Sequence, residues 1–288
     1  MILVDLNQVL ISNLMAQTRG QPDKTTANED MIRHMVINSL RGFNVKFKTK
    51  YGKMVLCSDA GDPWRRDNFP HYKYSRKKGR EESSFDWDNI FNIITNIKNE
   101  IKENFPYVVM YEAKCEADDI IATLVKYYHQ HEDIMIVSGD KDFQQLQKYP
   151  NVKQYSPIQK KFIETSNPQE YTFEHILRGD TSDGIPNFLS PDDTFINKIK
   201  QKPILKKKLN YWIDTLMKGD DPKTFCNEYH YRNYQRNQRL IDFDYIPDDM
   251  EEDIYSTYKK VKANSKTKIL PYLINNDLKE LIGKIEEF

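Results

Sequence analysis

The stretch Tyr107 to Asp142, YVVMYEAKCEADDIIATLVKYYHQHEDIMIVSGDKD, leaves this chain few ways to fold. Val108, Val109 and Met110 form one short apolar run, and Ile134, Met135, Ile136 and Val137 form another, each of strand length. Between them Ala117, Ile120, Ile121, Leu124, Val125 and Tyr128 recur at helical spacing. Strand, helix and strand in that order make a βαβ unit, whose crossover sets the two strands parallel. Open parallel sheets bind ligands beyond the carboxyl ends of their strands. Glu116, Asp118, Asp119, Asp140 and Asp142 all fall at that edge. Carboxylates so crowded repel one another unless cations lie between them, so the unit reads as half of a divalent-metal site.

The other half comes from the rest of the chain. The opening MILVDLNQVLI reads as a first strand that delivers Asp5, since it lacks the basic start and small-residue cleavage site of a secretory leader. KMVLCSD gives a second strand, with Asp59 just past its end. The polar stretch Thr18 to Asn28, with Gly20 and Pro22, reads as a loop, and Met31, Met35, Ile37, Leu40 and Phe43 as a helix. Ser83 or Ser84 is expected to cap a helix built on Ile90, Ile94, Ile97 and Ile101. A short helix with Phe143 and Leu146 follows Asp142, and Val152 to Tyr155 is expected to pair with Lys161 to Glu164 as a hairpin. Past Pro168 strand signals nearly vanish. Phe173, Ile176 and Leu177 mark a helix that Gly179 stops, and a spacing of three is expected to set Asp180 and Asp183 on one side of a helical turn. Pro203 and Pro222 read as first-turn prolines of two helices, the former with a core face of Leu205, Leu209, Trp212, Ile213 and Leu216. IDFDYIP is expected to be extended, with two short helices after it. The fold class is therefore α/β: a central, mostly parallel sheet flanked by helices over residues 1–168, and a smaller helical region over 169–288 that adds Asp180 and Asp183 to the site.

A chain of 288 residues with 39% hydrophobic and 30% charged residues can bury a real core, and no apolar run reaches the length of a membrane span. Cys57, Cys115 and Cys226 are odd in number and lack metal-type spacing, which suits free thiols in a reducing cytoplasm. Zero net charge argues, taken alone, against a dedicated nucleic-acid binder. Distribution matters more, because setting nine acidic candidates aside leaves a surplus of nine positive charges elsewhere. The segment DPWRRDNFPHYKYSRKKGR carries Arg65, Arg66, Lys73, Arg76, Lys77, Lys78 and Arg80 against Asp62 and Asp67. Trp64, Phe69, Tyr72 and Tyr74 are interleaved, a mixture suited to neutralising phosphates and stacking on bases. A solvated basic loop with incidental aromatics is the competing reading.

Nine acidic residues from five places thus converge: Asp5, Asp59, Glu116, Asp118, Asp119, Asp140, Asp142, Asp180 and Asp183. Their hard oxygens select Mg²⁺ or Mn²⁺ over zinc. Two such ions about 4 Å apart can clamp the attacking and leaving oxygens of a phosphodiester. None of the histidines, His34, His71, His129, His131, His175 and His230, lies inside an acidic motif, so all read as structural or solvated, with His71 the one able to touch substrate. No serine elbow or glycine-rich phosphate loop is present.

The order strand-end Asp, Glu-x-Asp-Asp, Asp-x-Asp and Asp-x-x-Asp, carried by VLCSDA, WRRDNFPHYKYSR, CEADDIIATLVK, SGDKDFQQL, LRGDTSDGIP and LIDFDYIPD, resembles the flap endonuclease and 5′ to 3′ exonuclease family, most of all its bacteriophage members. The resemblance implies a helical arch over the site, at about residues 62–85. It implies a first metal cluster of Asp5, Asp59, Glu116, Asp118 and Asp140, a second of Asp142, Asp180 and Asp183, and Asp119 as a flanking carboxylate. Tyr72 and Lys73 match the arch pair, with Lys73 on the scissile phosphate and, with Asp118 and Asp140, at the centre of catalysis; Arg65, Arg66 and Arg76 would steer the 5′ strand, beside Lys77, Lys78 and Arg80. The implied activity is two-metal hydrolysis, with Mg²⁺ or substituting Mn²⁺, near 5′ ends in RNA–DNA hybrids and flapped or nicked duplex DNA, removing lagging-strand RNA primers in phage replication. A monomer in the host cytoplasm, with single-strand-binding protein and sliding clamp as candidate partners and no membrane, is the expected setting. NFLSPDDTFINK has no glycine after Gly184, where most relatives continue into a glycine-rich duplex-gripping hairpin.

Two other readings compete. A catalytically silent clamp on DNA junctions would use the basic segment without hydrolysis. An aspartyl-phosphate phosphatase or receiver would use Asp5 alone, and leaves Asp180, Asp183 and the basic segment unexplained.

Overall fold

The computed structural model describes residues 1–18 and 27–288, and the side chain of Lys77 is also outside the described set. Most of the loop expected between Thr18 and Asn28 therefore lies outside the described residues.

Six short strands build one sheet: β1 (Ile2–Asp5), β2 (Met54–Cys57), β3 (Val108–Met110), β4 (Ile134–Val137), β5 (Val152–Ser156) and β6 (Lys161–Ile163). Their order is β3-β2-β1-β4-β5-β6. The first five are parallel, and only β6 runs antiparallel, as the hairpin partner of β5. In register Asp5 faces Cys57, Cys57 faces Met110 and Val4 faces Val137, so the carboxyl ends of four strands come out level. Asp5, Asp59, Asp140 and Asp142 are the residues at or just past those ends.

Alternation of side chains along the strands splits the core in two. Ile2, Val4, Leu56 and Val137 face a cluster made with helices α1 (Leu6–Thr18) and α2 (Glu29–Tyr51); Leu3, Val55, Ile134 and Ile136 face the other side. Further along lie α3 (Trp64–Asn68), α4 (Tyr74–Glu81), α5 (Trp87–Asn104) and α6 (Ala117–Tyr128). The isoleucines of α5 join the first cluster, and Ile120, Ile121, Leu124 and Val125 of α6 fill the second.

After β6 the chain is helical, with α7 (Pro168–Arg178), α8 (Lys206–Met217), α9 (Glu228–Ile241), α10 (Asp248–Lys260), α11 (Ile269–Asn275) and α12 (Lys279–Ile282). Packing does not follow the boundary at residue 168. Helices α7, α8 and α9 make a third cluster, but Ile254 of α10 returns to the second, and Leu273, Leu281 and Phe288 return to the first. Phe69 and Tyr72, from the basic aromatic segment, are members of the third cluster, which ties that segment to the helical region.

Several local expectations are corrected. Helix α1 follows β1 without a break, inside the run read as strand, because Leu6, Val9, Leu10 and Leu14 bury against the sheet. Asp86, accepting from the Asn89 amide at 3.0 Å, caps α5 in place of Ser83 or Ser84. Pro203 lies ahead of α8, whose first residue is Lys206, and Leu205 is exposed. Pro222 opens only a 3₁₀ turn, and α9 starts later behind Asn227. IDFDYIP holds a 3₁₀ turn at Phe243–Tyr245, and α10, which follows it, is 13 residues long. Asp180 and Asp183 sit in a non-helical turn closed by an antiparallel bridge between Asp180 and Ile185.

Candidate active site

At the carboxyl edge of the sheet lies a cleft of about 600 Å³ lined by Asp5, Asp59, Glu116, Asp118, Asp140, Asp142, Asp180 and Asp183, together with Lys73, Arg76 and Arg80. Eight of the nine acidic candidates are thus brought to one place. Asp5 ends β1, and its Oδ1 accepts from the Gln8 amide at 2.9 Å while Oδ2 accepts from Ser138 Oγ at 3.1 Å. The same Ser138 hydroxyl accepts from the Asp140 amide at 3.1 Å, so one serine fixes two acids from adjacent strands. Asp140 Oδ1 in turn accepts from the Asp142 amide at 3.0 Å. Asp59 Oδ1 takes the Ala117 amide at 2.8 Å, joining the end of β2 to the first turn of α6, where donors lack partners within the helix.

The ninth, Asp119, is not in the cleft. It closes a capping box on α6, its Oδ2 accepting from the Glu116 amide at 2.9 Å and from Trp64 Nε1 at 3.3 Å, while Oδ1 pairs with Arg65 at 2.8 Å. Fully buried, paired with Arg65 and outside the cleft lining, it holds the helix start that carries Glu116 and Asp118. Arg65 is corrected with it. Its side chain is buried, paired with Glu116 and Asp119 and donating from Nε to the Leu240 carbonyl at 2.8 Å, so it is an internal strut and not a surface contact for nucleic acid. Tyr72 is buried too. Its hydroxyl donates toward Glu116 Oε2 at 2.8 Å and Asp183 Oδ2 at 3.0 Å, and its ring belongs to the core. Trp64 and Phe69 are likewise buried, leaving Tyr74 the one exposed ring of the four.

Lys73 occupies a left-handed backbone conformation, φ 56°, uncommon away from glycine, and its amide donates to the Asp183 carbonyl at 2.8 Å. This bond seats the start of α4 on the Asp180–Asp183 turn. Lys73 Nζ then reaches Glu116 at 2.5 Å and Asp183 at 3.5 Å, and Arg76 reaches Asp183 at 2.5 Å. A second cleft, of about 990 Å³, shares Asp59, Lys73, Arg76, Arg80 and Glu116 with the first and adds Arg66, Tyr74 and Lys98. Arg66 is exposed and pairs with Asp62, Lys78 is exposed beside Glu82, and Arg80 lies over the Phe91 ring at 5.6 Å. Lys98, which the sequence did not single out, reaches this cleft from α5 and touches Ser58 Oγ at 3.3 Å.

The electrostatics divide the acids. Burial pushes Asp118 well above the ordinary carboxylate range, with Asp140 and Asp5 adding to the effect. Burial, with Asp59 and Asp140, pushes Asp5 up to about 7. Asp142 is also pushed to about 7, by burial and then by Asp140, Asp180 and Asp183, against the pull of His175. Glu116 is as buried, yet Lys73 and Arg65 outweigh burial and hold it below the ordinary value. Asp118 accepts no hydrogen bond among the described residues. A largely enclosed oxygen cluster in which Asp5, Asp118 and Asp140 form no ion pair among the described residues fits hard divalent cations.

His175 is the residue that sequence reasoning missed. It stands in the last turn of α7 between two acids, with Nδ1 3.3 Å from Asp142 Oδ1 and Nε2 3.3 Å from Asp180 Oδ2. Its place five residues before Asp180, with Gly179 reversing the chain between them, was the available signal.

The 5′-3′ exonuclease N-terminal resolvase-like domain matches residues 1–175, and the T4 RNase H C-terminal domain matches residues 168–288. The ribonuclease H of Enterobacteria phage T4 is 37% identical over 99% of this chain and 95% of its own length. The flap endonuclease Xni of Shewanella piezotolerans is 33% identical over 49% of this chain and 55% of its own. Among solved structures, the phage T5 D15 protein co-crystallised with metal ions superposes with a TM-score of 0.65 at 14% identity, covering 88% of this chain and 98% of that one. The T5 D15 flap endonuclease in a pseudo-enzyme-product complex with DNA and metal ions gives 0.63 at 13% identity, covering 90% and 97%. The fold and the order of carboxylates therefore have one explanation: the chain belongs to the 5′-3′ exonuclease family of metal-dependent nucleases.

Proposed function

We propose that the cleft hydrolyses phosphodiester bonds at and near 5′ ends of RNA or DNA paired to DNA, using two Mg²⁺ ions for which Mn²⁺ substitutes. The observation that carries this reading is the convergence of eight acidic side chains on one cleft, where the innermost, Asp5 and Asp118, form no ion pair among the described residues and are pushed above the ordinary carboxylate range by burial and by neighbouring acids. In this reading Asp5, Asp59, Glu116, Asp118 and Asp140 surround the first ion, and the second lies toward Asp142, Asp180 and Asp183. Divalent ions held there would activate water and neutralise charge on the leaving oxygen.

The chain's own groups do the rest. Lys73 and Arg76 sit at the rim, already drawn to Glu116 and Asp183. A phosphate entering the cleft offers them a stronger partner, and the carboxylates they release face the incoming cations. Tyr72, held between Glu116 and Asp183, keeps those two acids at a fixed separation during the exchange. The 5′ strand runs past Arg66 and Tyr74, which are exposed, and Arg80 and Lys98, which are half-buried, all lining the second cleft, with Lys77 and Lys78 on the helix of Tyr74 and Arg80.

RNA–DNA hybrid and flapped or nicked duplex DNA are the proposed substrates, and removal of lagging-strand RNA primers during phage replication is the proposed role. The names of the T4 and T5 relatives, ribonuclease H and flap endonuclease, support the choice of substrates. The same reading has a monomer working in the host cytoplasm beside single-strand-binding protein and the sliding clamp; no described helix is long and apolar enough to cross a membrane.

A product-length assay tests it: 5′-labelled and 3′-labelled flap, blunt and RNA-primed duplexes with Mg²⁺, against a chelator control. Short products released from 5′ ends, only with metal, are expected. Tight binding to flapped DNA with no product in Mg²⁺ or Mn²⁺ would favour the silent junction clamp instead.

A further inference from the structure

The two outer acids are joined by an imidazole to which the nuclease reading gives no role. His175 Nε2 lies 3.3 Å from Asp180 Oδ2, the contact through which it donates. Its Nδ1 is buried, lies 3.3 Å from Asp142 Oδ1, and has no hydrogen-bond partner. A neutral imidazole that donates from Nε2 presents a lone pair at Nδ1. Here Nδ1 faces a carboxylate oxygen across 3.3 Å, and the flanking acids, outweighing burial, raise the proton affinity of the imidazole, so a proton fills that gap in the metal-free fold and a cation would take its place.

Asp180 has little left to offer an ion. Its Oδ1 already accepts from the Ser182 amide at 2.7 Å, the Ser182 hydroxyl at 2.7 Å and the Asp183 amide at 3.2 Å, and its Oδ2 faces His175. A carboxylate that takes one imidazole N–H fixes the tautomer and aims the other nitrogen, which is how metal-binding histidines are usually held. Donor atoms of Asp142, His175 and Asp180 all lie within 4.8 Å of one another, the spread a single ion can span. Two donors bound to one ion at about 2.1 Å each stand about 3 Å apart, close to the Nδ1–Asp142 separation.

We propose that His175 Nδ1 and Asp142 hold the outer cation together, and that Asp180 is a positioning residue acting through the imidazole. This rests on the metal-dependent reading above and refines its second site. A nitrogen donor shifts that site from an all-oxygen set suited to Mg²⁺ toward Mn²⁺, Co²⁺ and Zn²⁺. The inner site, built from oxygens alone, keeps its preference for Mg²⁺.

The test is calorimetric titration of the metal-free full-length chain with Mn²⁺ and, separately, Mg²⁺, without nucleic acid, for the wild type, His175→Gln, Asp180→Asn and Asp142→Asn. One of the Mn²⁺ sites should weaken roughly 10- to 100-fold in His175→Gln while Mg²⁺ affinity moves less than about threefold. Asp180→Asn should cost less Mn²⁺ affinity than Asp142→Asn. The visible spectrum of the Co²⁺-loaded protein should change in His175→Gln, with the chelator-treated variant melting as a folded protein. Unchanged Mn²⁺ affinity and an unchanged Co²⁺ spectrum in His175→Gln would overturn the proposal and leave His175 as a proton bridge. So would an Asp180→Asn loss equal to that of Asp142→Asn, which would make Asp180 itself a ligand. Because the titration needs no cleavage, failure of the wild type to cut nucleic acid would count against the nuclease reading and not against this one.

Discussion

The inner and rim sides of the cleft are built from the same carboxylates and stand in opposite electrostatic states. Asp5 and Asp118, with Asp140 beside them, lie deep at strand ends and a helix start, and their neighbours are mostly other acids. Glu116, Asp180 and Asp183 at the rim each have a basic partner: Lys73 and Arg65 for the first, His175 for the second, Arg76 for the third. Burial alone does not separate them, since Glu116 is 5% exposed and Asp5 7%. Counter-charge separates them. The inner side must import cations, whereas the rim carries side chains that can be lent to a phosphate and recovered afterwards.

The sharpest way to break this comparison is Asp118→Asn. It should lower metal-dependent turnover at least about 10³-fold, yet raise the thermal midpoint in chelator by roughly 2–4 °C for about 1 kcal/mol of relieved repulsion. A lower midpoint in differential scanning would mean that the inner acids are not in conflict. Arg65→Ala should do the reverse, because it removes one side of a buried ion pair, costing about 3–5 kcal/mol of stability in denaturant titration. A variant that stays as stable and only loses affinity for DNA would return Arg65 to the substrate surface. Lys73→Ala should lower kcat about 10²- to 10³-fold through lost charge stabilisation at the phosphate. It also frees Glu116 and Asp183, so added Mg²⁺ should raise its melting midpoint more than that of the wild type; equal gains would show that Lys73 does not stand in for a cation.

The comparison also extends to pH. Asp5 and Asp142 rise from an ordinary 3.8 to about 7 in the metal-free fold, so between those values the folded state binds more protons than the unfolded chain. Stability in chelator should therefore fall as pH rises from about 4 to 7, by on the order of a few kcal/mol, and be fully reduced above 7. Saturating Mg²⁺ should flatten that slope. A metal-free protein whose denaturation midpoint climbs over this range would contradict the conflict assigned to Asp5 and Asp142.

Short buried parallel strands announce themselves as apolar runs, and the acids at their ends follow by position, so most of the sheet and the cleft's carboxylates could be read from local pattern. What could not be read depends on contacts between distant residues. Asp119 and Arg65 look like a ligand and a phosphate contact until α3 packs against the start of α6 and pairs them. Trp64, Phe69 and Tyr72 look like stacking platforms in a basic loop, because nothing local says that two of them complete a core made by helices more than a hundred residues later. Helix α1 was hidden because Ile11, Met15 and Ala16 lie off the stripe of Leu6, Val9, Leu10 and Leu14 and blur it against the neighbouring strand run. His175 was passed over because its partners, Asp142 and Asp180, lie in different segments.

Gly179 fixes the shape of the turn that carries Asp180 and Asp183 without lining the cleft itself. Its φ is 67°, and a methyl group placed there would fall 2.4 Å from the Ile185 carbonyl oxygen and 2.6 Å from Pro186. Two stretches of main chain pressed together act like a gauge block: they set how tightly the Asp180–Asp183 turn closes on itself, and no change of rotamer at the acids can alter that setting. The spacing of Asp180 from Asp183 is thus machined into the main chain, and their side chains have only to supply the charge.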